Sequence, residues 1–159
     1  MSRRADQGSP VAKKVLAVAS GGGHWIELLR VIKAFDGRDI SFVTVHRAYR
    51  HDVPRHRLHV VTDATRWDPF LVVVLAIQML AIVLRVRPSI VISTGSAPGL
   101  FGLLFGRILG ARTIWLDSLA NVDRVSMSGW LVRPFAGLWL TQWPHLARPQ
   151  GPEYAGQVL

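Results

Sequence analysis

Val15-Leu16-Ala17-Val18-Ala19-Ser20, then Gly21-Gly22-Gly23, then His24-Trp25-Ile26-Glu27-Leu28-Leu29 is the stretch that decides the fold. Residues 15–20 are a short apolar run of the kind a buried strand presents. Three glycines break it. Apolar residues then recur at Trp25, Leu28, Leu29, Ile32 and Phe35, the spacing of a helix with one buried stripe. Asp36-Gly37 closes that helix. Strand, glycine loop and helix in this order open an α/β unit.

The alternation continues outward. Residues 40–45 read as a second strand, 46–57 as a polar loop and 58–61 as a third strand. Asp68 is a good N-cap and Pro69 suits the first helical position, so a helix starts there and stops before Pro88. Residues 89–93 form a fourth strand. A second glycine loop, 94–99, leads to a helix over 100–109 with Gly110 as its cap. A fifth strand (113–116), a loop (118–128), a short helix (129–135) and a sixth strand (138–142) follow, and 144–159 is a Pro/Gly-rich tail. Strands alternating with helices imply a Rossmann-like parallel sheet with helices on both faces. Under a 3-2-1-4-5-6 order the two glycine loops meet at the crevice where the order reverses.

Composition narrows the function classes. The chain has 159 residues, 50% apolar and 18% charged, which suits one globular domain and excludes a disordered chain. Residues 13–159 are read as that domain and 1–12 as a flexible basic tail. There is no cysteine, so disulfides and thiolate metal sites are excluded. A net charge of +9 favours anionic partners. No secretory signal is read near the start, where the first apolar run is short and runs into glycines.

Residues 70–84, FLVVVLAIQMLAIVL, are apolar on every helical face, which requires burial all round or contact with lipid. Their 15 residues span about 22 Å as a helix, short of a hydrocarbon core of roughly 30 Å. Arg66 precedes this run, and Arg85 and Arg87 follow it. Among the tryptophans, Trp139 and Trp143 are candidates for an interface.

The candidate site residues cluster in loops. Ser20, Gly21, Gly22 and Gly23 let backbone amides approach an anion at a helix N-terminus. The loop fails the dinucleotide pattern, since the sixth position counted from Gly21 is Ile26, and it lacks the Gly-Lys-Ser/Thr ending of a P-loop. His24, in the first turn, is placed to stay neutral and serve as a base or a phosphate contact. Thr94, Gly95 and Ser96 offer hydroxyls and amides to a sugar or diphosphate. Asp117 and Ser118 end the fifth strand, where a carboxylate orients a hydroxyl or acts as a base. The loop 46–57 carries Arg47, Arg50, Arg55 and Arg57 with His46, His51 and His56, a phosphate- or membrane-facing loop or a plain solvated one. Its histidines lack a zinc-site pattern, and its single aromatic, Tyr49, is a poor platform for nucleic acid.

The stretch 20–29 resembles the first loop of the acceptor-binding half of GT-B glycosyltransferases, of which MurG has a comparable glycine loop ending in histidine. The fuller match is to split enzymes: PssD-type exopolysaccharide glycosyltransferase subunits, and the eukaryotic membrane-anchor subunit of the dolichol-linked UDP-GlcNAc transferase. Asp63-Ala64-Thr65-Arg66-Trp67, Ile92-Ser93-Thr94-Gly95-Ser96, Trp115-Leu116-Asp117-Ser118 and Gly151-Pro152-Glu153-Tyr154 extend the likeness over nearly the whole chain. The resemblance implies the N-terminal half of a GT-B enzyme, with His24 and Asp117 as catalytic candidates. Ser20, Gly21, Gly22, Gly23, Thr94, Gly95, Ser96, Ser118 and Asn121 would then hold the acceptor or its phosphates. It implies a subunit that docks a polyprenyl-diphosphate-linked sugar acceptor at the membrane surface. A donor-binding catalytic partner would bind most of the UDP-sugar and supply GlcNAc or glucuronate for polysaccharide biosynthesis. No metal, cofactor or nucleic acid is expected, and activity without the partner should be slight. The expected location is the cytoplasmic face of the inner membrane, peripheral or monotopic. A free-standing nucleotide-binding Rossmann module is the competing reading.

Overall fold

The computed structural model describes residues 13–158; the basic tail expected over residues 1–12 lies outside them. Seven strands form one parallel sheet: β1 (Lys14–Val18), β2 (Asp39–Thr44), β3 (Arg57–Val60), β4 (Ile90–Ser93), β5 (Arg112–Leu116), β6 (Leu138–Thr141) and β7 (Glu153–Tyr154). Their order is β3-β2-β1-β4-β5-β6-β7. The expected order of the first six strands is therefore found. The expected tail contributes something the sequence did not announce: β7 is a two-residue edge strand beside β6, too short for a periodic signal.

Helices cover both faces. α1 (Gly23–Val31) continues as a 3-10 turn over Ile32–Phe35, and lays Trp25, Leu28 and Ile32 on Val15, Ala17, Ile40, Phe42 and Ile92. α2 (Pro69–Val86), α3 (Ser96–Ile108) and α4 (Met127–Val132) lie on the other face. There Leu75, Met79, Val83, Leu103 and Val132 pack on Leu16, Val18, Val43, Val91, Trp115 and Trp139. Alternate residues of β1 thus feed opposite cores, as the pleat requires. Two covered faces explain why the central strands are apolar throughout rather than alternating.

Three expectations change. The second glycine loop is shorter than 94–99, because α3 begins at Ser96 and takes Ala97, Pro98 and Gly99 into its first turn. Pro98 is tolerated there because the first amides of a helix need no partner. Gly99 is demanded by packing, since a Cβ would lie 1.9 Å from Ser93 Oγ. Second, α2 runs 18 residues, about 27 Å, because Asp68 Oδ1 accepts from the Leu71 amide at the start and Arg87 closes it in the left-handed conformation. Burial all round is excluded: only Leu75, Met79, Val83 and Val86 are buried. Third, Trp139 is core rather than interface, at 7% exposure, and Trp143 is half-buried with its indole N–H on Leu119 O. The exposed indoles are Trp67 and Trp130.

Candidate functional site

The loops after β1 and β4 lie side by side where the strand order reverses, the place where parallel α/β sheets hold ligands. Each loop hands directly to a helix N-terminus. Gly22 caps α1 at φ 56° and Gly95 caps α3 at φ 140°, so glycine is required at both positions. Neither helix has a capping side chain or an acidic residue in its first turn. The first amides of both helices therefore point their positive ends into the crevice without an internal carboxylate. Ser96 adopts φ 76°, which is strained for a residue with a Cβ, and its buried Oγ has no partner.

His24 ties the two loops together. Its Nδ1 lies 2.9 Å from Thr94 O, and Thr94 Oγ1 donates to His24 O at 2.6 Å. A carbonyl only accepts, so Nδ1 carries the proton of this contact, and Nε2 is the ring nitrogen left for a ligand. The imidazole lies against Gly95, where a Cβ would sit 2.5 Å from His24 Cε1. A glycine in the second loop thus makes room for the histidine of the first.

The basic loop closes on the same place. A Cβ on Gly21 would sit 2.7 Å from His46 Cδ2, and the Gly22 amide donates to Tyr49 Oη at 2.9 Å. Tyr49 stacks on Trp25 at 4.7 Å, and Trp25 Nε1 donates to Asp52 Oδ2 at 2.8 Å. The 3-10 turn Arg47–His51 therefore brings Tyr49, with His46 just before it, against the first glycine loop, while the Arg50 guanidinium donates to His56 O at 2.7 Å. Ser20 contributes its carbonyl, which accepts from Thr44 Oγ1 and from the Val45 amide.

The third group, after β5, is turned inward. Asp117 is 1% exposed. Its carboxylate accepts from Trp115 Nε1 at 3.2 Å, Asn121 Nδ2 at 3.3 Å, the Ser126 amide at 2.9 Å and Ser126 Oγ at 2.5 Å. Ser118 donates to Glu27 at 2.9 Å. Asp117, Ser118 and Asn121 therefore shape the loop. Thr94, 0% exposed, is spent on His24, and Gly95 is buried beneath the imidazole. The exposed or partly exposed Gly21, Gly22, Gly23, His24 and Ser96 border the crevice. Sequence reasoning missed Glu27. It sits one turn after His24 on α1, is buried, and also accepts from the Leu119 amide at 3.1 Å and Gln142 Nε2 at 3.3 Å. Its place on the apolar face of a helix was the available signal. Among the described residues no group of three or more metal-ligating side chains is found.

A seven-stranded Rossmann-like sheet with its glycine loops at the switch point is the fold of one half of a GT-B glycosyltransferase. MurG of Acinetobacter baumannii superimposes on 90% of this chain with a TM-score of 0.74 at 15% identity, and the match takes up 45% of the MurG chain. The relatives found by sequence are UDP-N-acetylglucosamine transferase subunits named ALG14. The chain is 28% identical over 145 residues to that of Yarrowia lipolytica, covering 86% of this chain and 62% of the relative. It is 26% identical over 177 residues to that of Eremothecium gossypii, covering 91% and 79%. No protein-family model matches the chain.

Proposed function

We propose that this chain is the acceptor-binding, membrane-associated subunit of a two-chain glycosyltransferase. It would present a polyprenyl-diphosphate-linked sugar acceptor to a donor-binding partner that carries most of the UDP-sugar contacts. The transferred sugar is GlcNAc or glucuronate. The observation that carries the reading is the His24–Thr94 tie. It places an imidazole with a free Nε2 between two helix N-termini that no side chain caps. The relatives are UDP-N-acetylglucosamine transferase subunits, which supports it, and so does a match to less than half of MurG.

In this reading the free amides and the Ser96 hydroxyl hold acceptor phosphate oxygens. His24 Nε2 takes the proton of the acceptor hydroxyl as that oxygen bonds to the sugar's anomeric carbon. The bond from that carbon to the diphosphate breaks, and UDP leaves with the electron pair. The Thr94 carbonyl keeps the ring in the required tautomer and stabilises the imidazolium that forms. Asp117 and Glu27 act by positioning the loop behind the site.

α2 supplies the membrane contact. It is long and apolar enough to cross a bilayer by length and composition. Its buried stripe holds it on the sheet, leaving Phe70, Val73, Ile77 and Leu84 to face lipid. We place the domain on the cytoplasmic face of the inner membrane.

The test is transfer of radiolabelled GlcNAc or glucuronate from the UDP-sugar to a lipid-linked acceptor, by the chain alone and with a candidate donor-binding chain added. Activity is expected only with the partner. His24→Ala in that pair should lower it about 100-fold or more, the usual worth of a positioned base. Full turnover by this chain alone, or an unimpaired His24→Ala pair, would overturn the reading.

A further inference from the structure

A second concavity, lined in part by charged side chains, lies away from the glycine loops. The loop before α4, α4 itself and the segment between β6 and β7 enclose a groove of about 400 Å³, lined by Arg124, Arg133, Arg148, Trp130, Asp123 and Leu146 among others. It sits on the far side of β6. That strand is two places from β4, roughly 10 Å along the sheet from the crevice.

The walls are held by cross-bonds rather than left to loop motion. Trp143 Nε1 donates to Leu119 O at 2.9 Å, and His145 Nε2 lies 2.6 Å from Val122 O. Arg148 is fastened by its own guanidinium, which donates to His145 O at 2.8 Å and Ala147 O at 2.9 Å. The Gly151 amide returns to Arg148 O, and the Arg148 amide donates to Pro152 O. Arg124 and Arg133 are exposed, and Trp130, 57% exposed, lines the same groove. Trp130 rests edge-on against buried Trp139 at 5.8 Å, so its orientation is set from below.

Three guanidinium groups and one carboxylate line this groove, a formal charge of 3 − 1 = +2. Arginines gathered around a concavity repel one another unless an anion joins them. The planar donor forks of Arg124 and Arg133 match phosphate oxygens two at a time, while Arg148, held on His145 O and Ala147 O, adds its charge. A lone chloride would leave charge over, while a phosphate dianion or a diphosphate diester balances it. The indole offers an apolar plane for whatever the phosphate is attached to.

We infer that this groove is a second anion site of the chain, built for a phosphate or diphosphate group whose attached moiety rests on Trp130. It is separate from the glycine-loop site and does not depend on the role given to His24. A soluble phosphorylated compound and a lipid headgroup would present the same group, and the experiment separates them.

The full chain is titrated calorimetrically with inorganic diphosphate. In parallel it is sedimented with vesicles of phosphatidylcholine, with and without phosphatidylglycerol. Arg124→Gln/Arg133→Gln is compared with the parent, with Arg124→Lys/Arg133→Lys, and with His24→Ala. Both arginines are exposed, so the melting temperature should stay at the parent value. Loss of two charge-assisted contacts should weaken diphosphate binding, phosphatidylglycerol-dependent sedimentation, or both, by about tenfold or more. The lysine pair should recover part of that loss, and His24→Ala should keep the groove's share of binding. A change confined to diphosphate identifies a soluble source, and one confined to vesicles a lipid headgroup. If the glutamine pair binds both probes as the parent does, the groove is not an anion site. That failure would leave the His24 reading standing, whose own failure shows in transfer rather than in these titrations.

Discussion

Glu27 is the residue on which the third loop of the crevice rests. Its carboxylate is 6% exposed and accepts from the Ser118 hydroxyl, the Leu119 amide and Gln142 Nε2. Removing one partner of a buried set leaves the others desolvated without acceptors. Glu27→Ala should therefore cost at least about 1–3 kcal/mol in chemical denaturation. Glu27→Gln, which keeps one acceptor, should cost less. His59 makes a different prediction. Burial, then the charges of Arg85 and Arg57, lower its pKa below 6.5, and its Nε2 is buried without a partner. The folded state thus disfavours the imidazolium that the unfolded chain accepts freely. This contribution is absent above pH 6.5, where both states are neutral, and destabilises increasingly as pH falls below that value. His59→Gln should flatten the acid limb of a plot of unfolding midpoint against pH. An unchanged slope would show that His59 is not its source.

At the scale of the element, α2 separates two jobs between its faces. Leu75, Met79, Val83 and Val86 recur every three or four residues and lock the helix to the sheet. Phe70 is 74% exposed and Ile77 63%. An apolar face of this extent on a helix flanked by Arg66, Arg85 and Arg87 suits the membrane interface. Phe70→Ser/Ile77→Ser should leave the melting temperature near the parent value, since neither side chain is in the core. It should reduce partitioning onto phosphatidylcholine–phosphatidylglycerol vesicles about tenfold or more, because each immersed side chain of this size contributes roughly 1.5–3 kcal/mol. Leu75→Ala should instead lower stability by about 2–5 kcal/mol, as cavity-forming core changes do. Equal effects of the two variants on unfolding would contradict the division of faces.

For the molecule as a whole, the net charge of +9 and the exposed arginines of the 46–57 loop and the α4 groove act together as a field. Vesicle binding should therefore fall steeply as salt rises from 0.01 M to 0.15 M, roughly where the Debye length shrinks from about 30 Å to 8 Å. The apolar share carried by α2 should persist. Binding indifferent to salt would assign attachment to α2 alone. The chain spans 62% of the Yarrowia relative and 45% of the MurG chain. Under the proposed function, the donor-binding partner would supply the second wall of the cleft, and this is why transfer is expected only with that partner.

The sheet and the meeting of its two glycine loops were legible in the sequence because they rest on local signals. Apolar runs interrupted by Gly21-Gly22-Gly23 and by Gly95 announce strand–loop–helix units. Asp68-Pro69 and Pro88 mark the helix between β3 and β4, and a βαβ chain has few ways to close. Strand β7 was silent, since two residues carry no period and its place depends on β6 being there first. The roles of polar groups were decided only by tertiary contacts. Asp117 reads as an acid at a strand end, yet four donors turn it inward. Glu27 reads as one charge on a helix, yet three donors reach it, two of them from the loop after β5 and one from beyond β6. His24 reads as a lone histidine until Thr94, 70 residues away in the chain, fixes its tautomer. Periodicity records which side of an element is buried. Which donor meets which acceptor depends on loops that only the assembled sheet brings together.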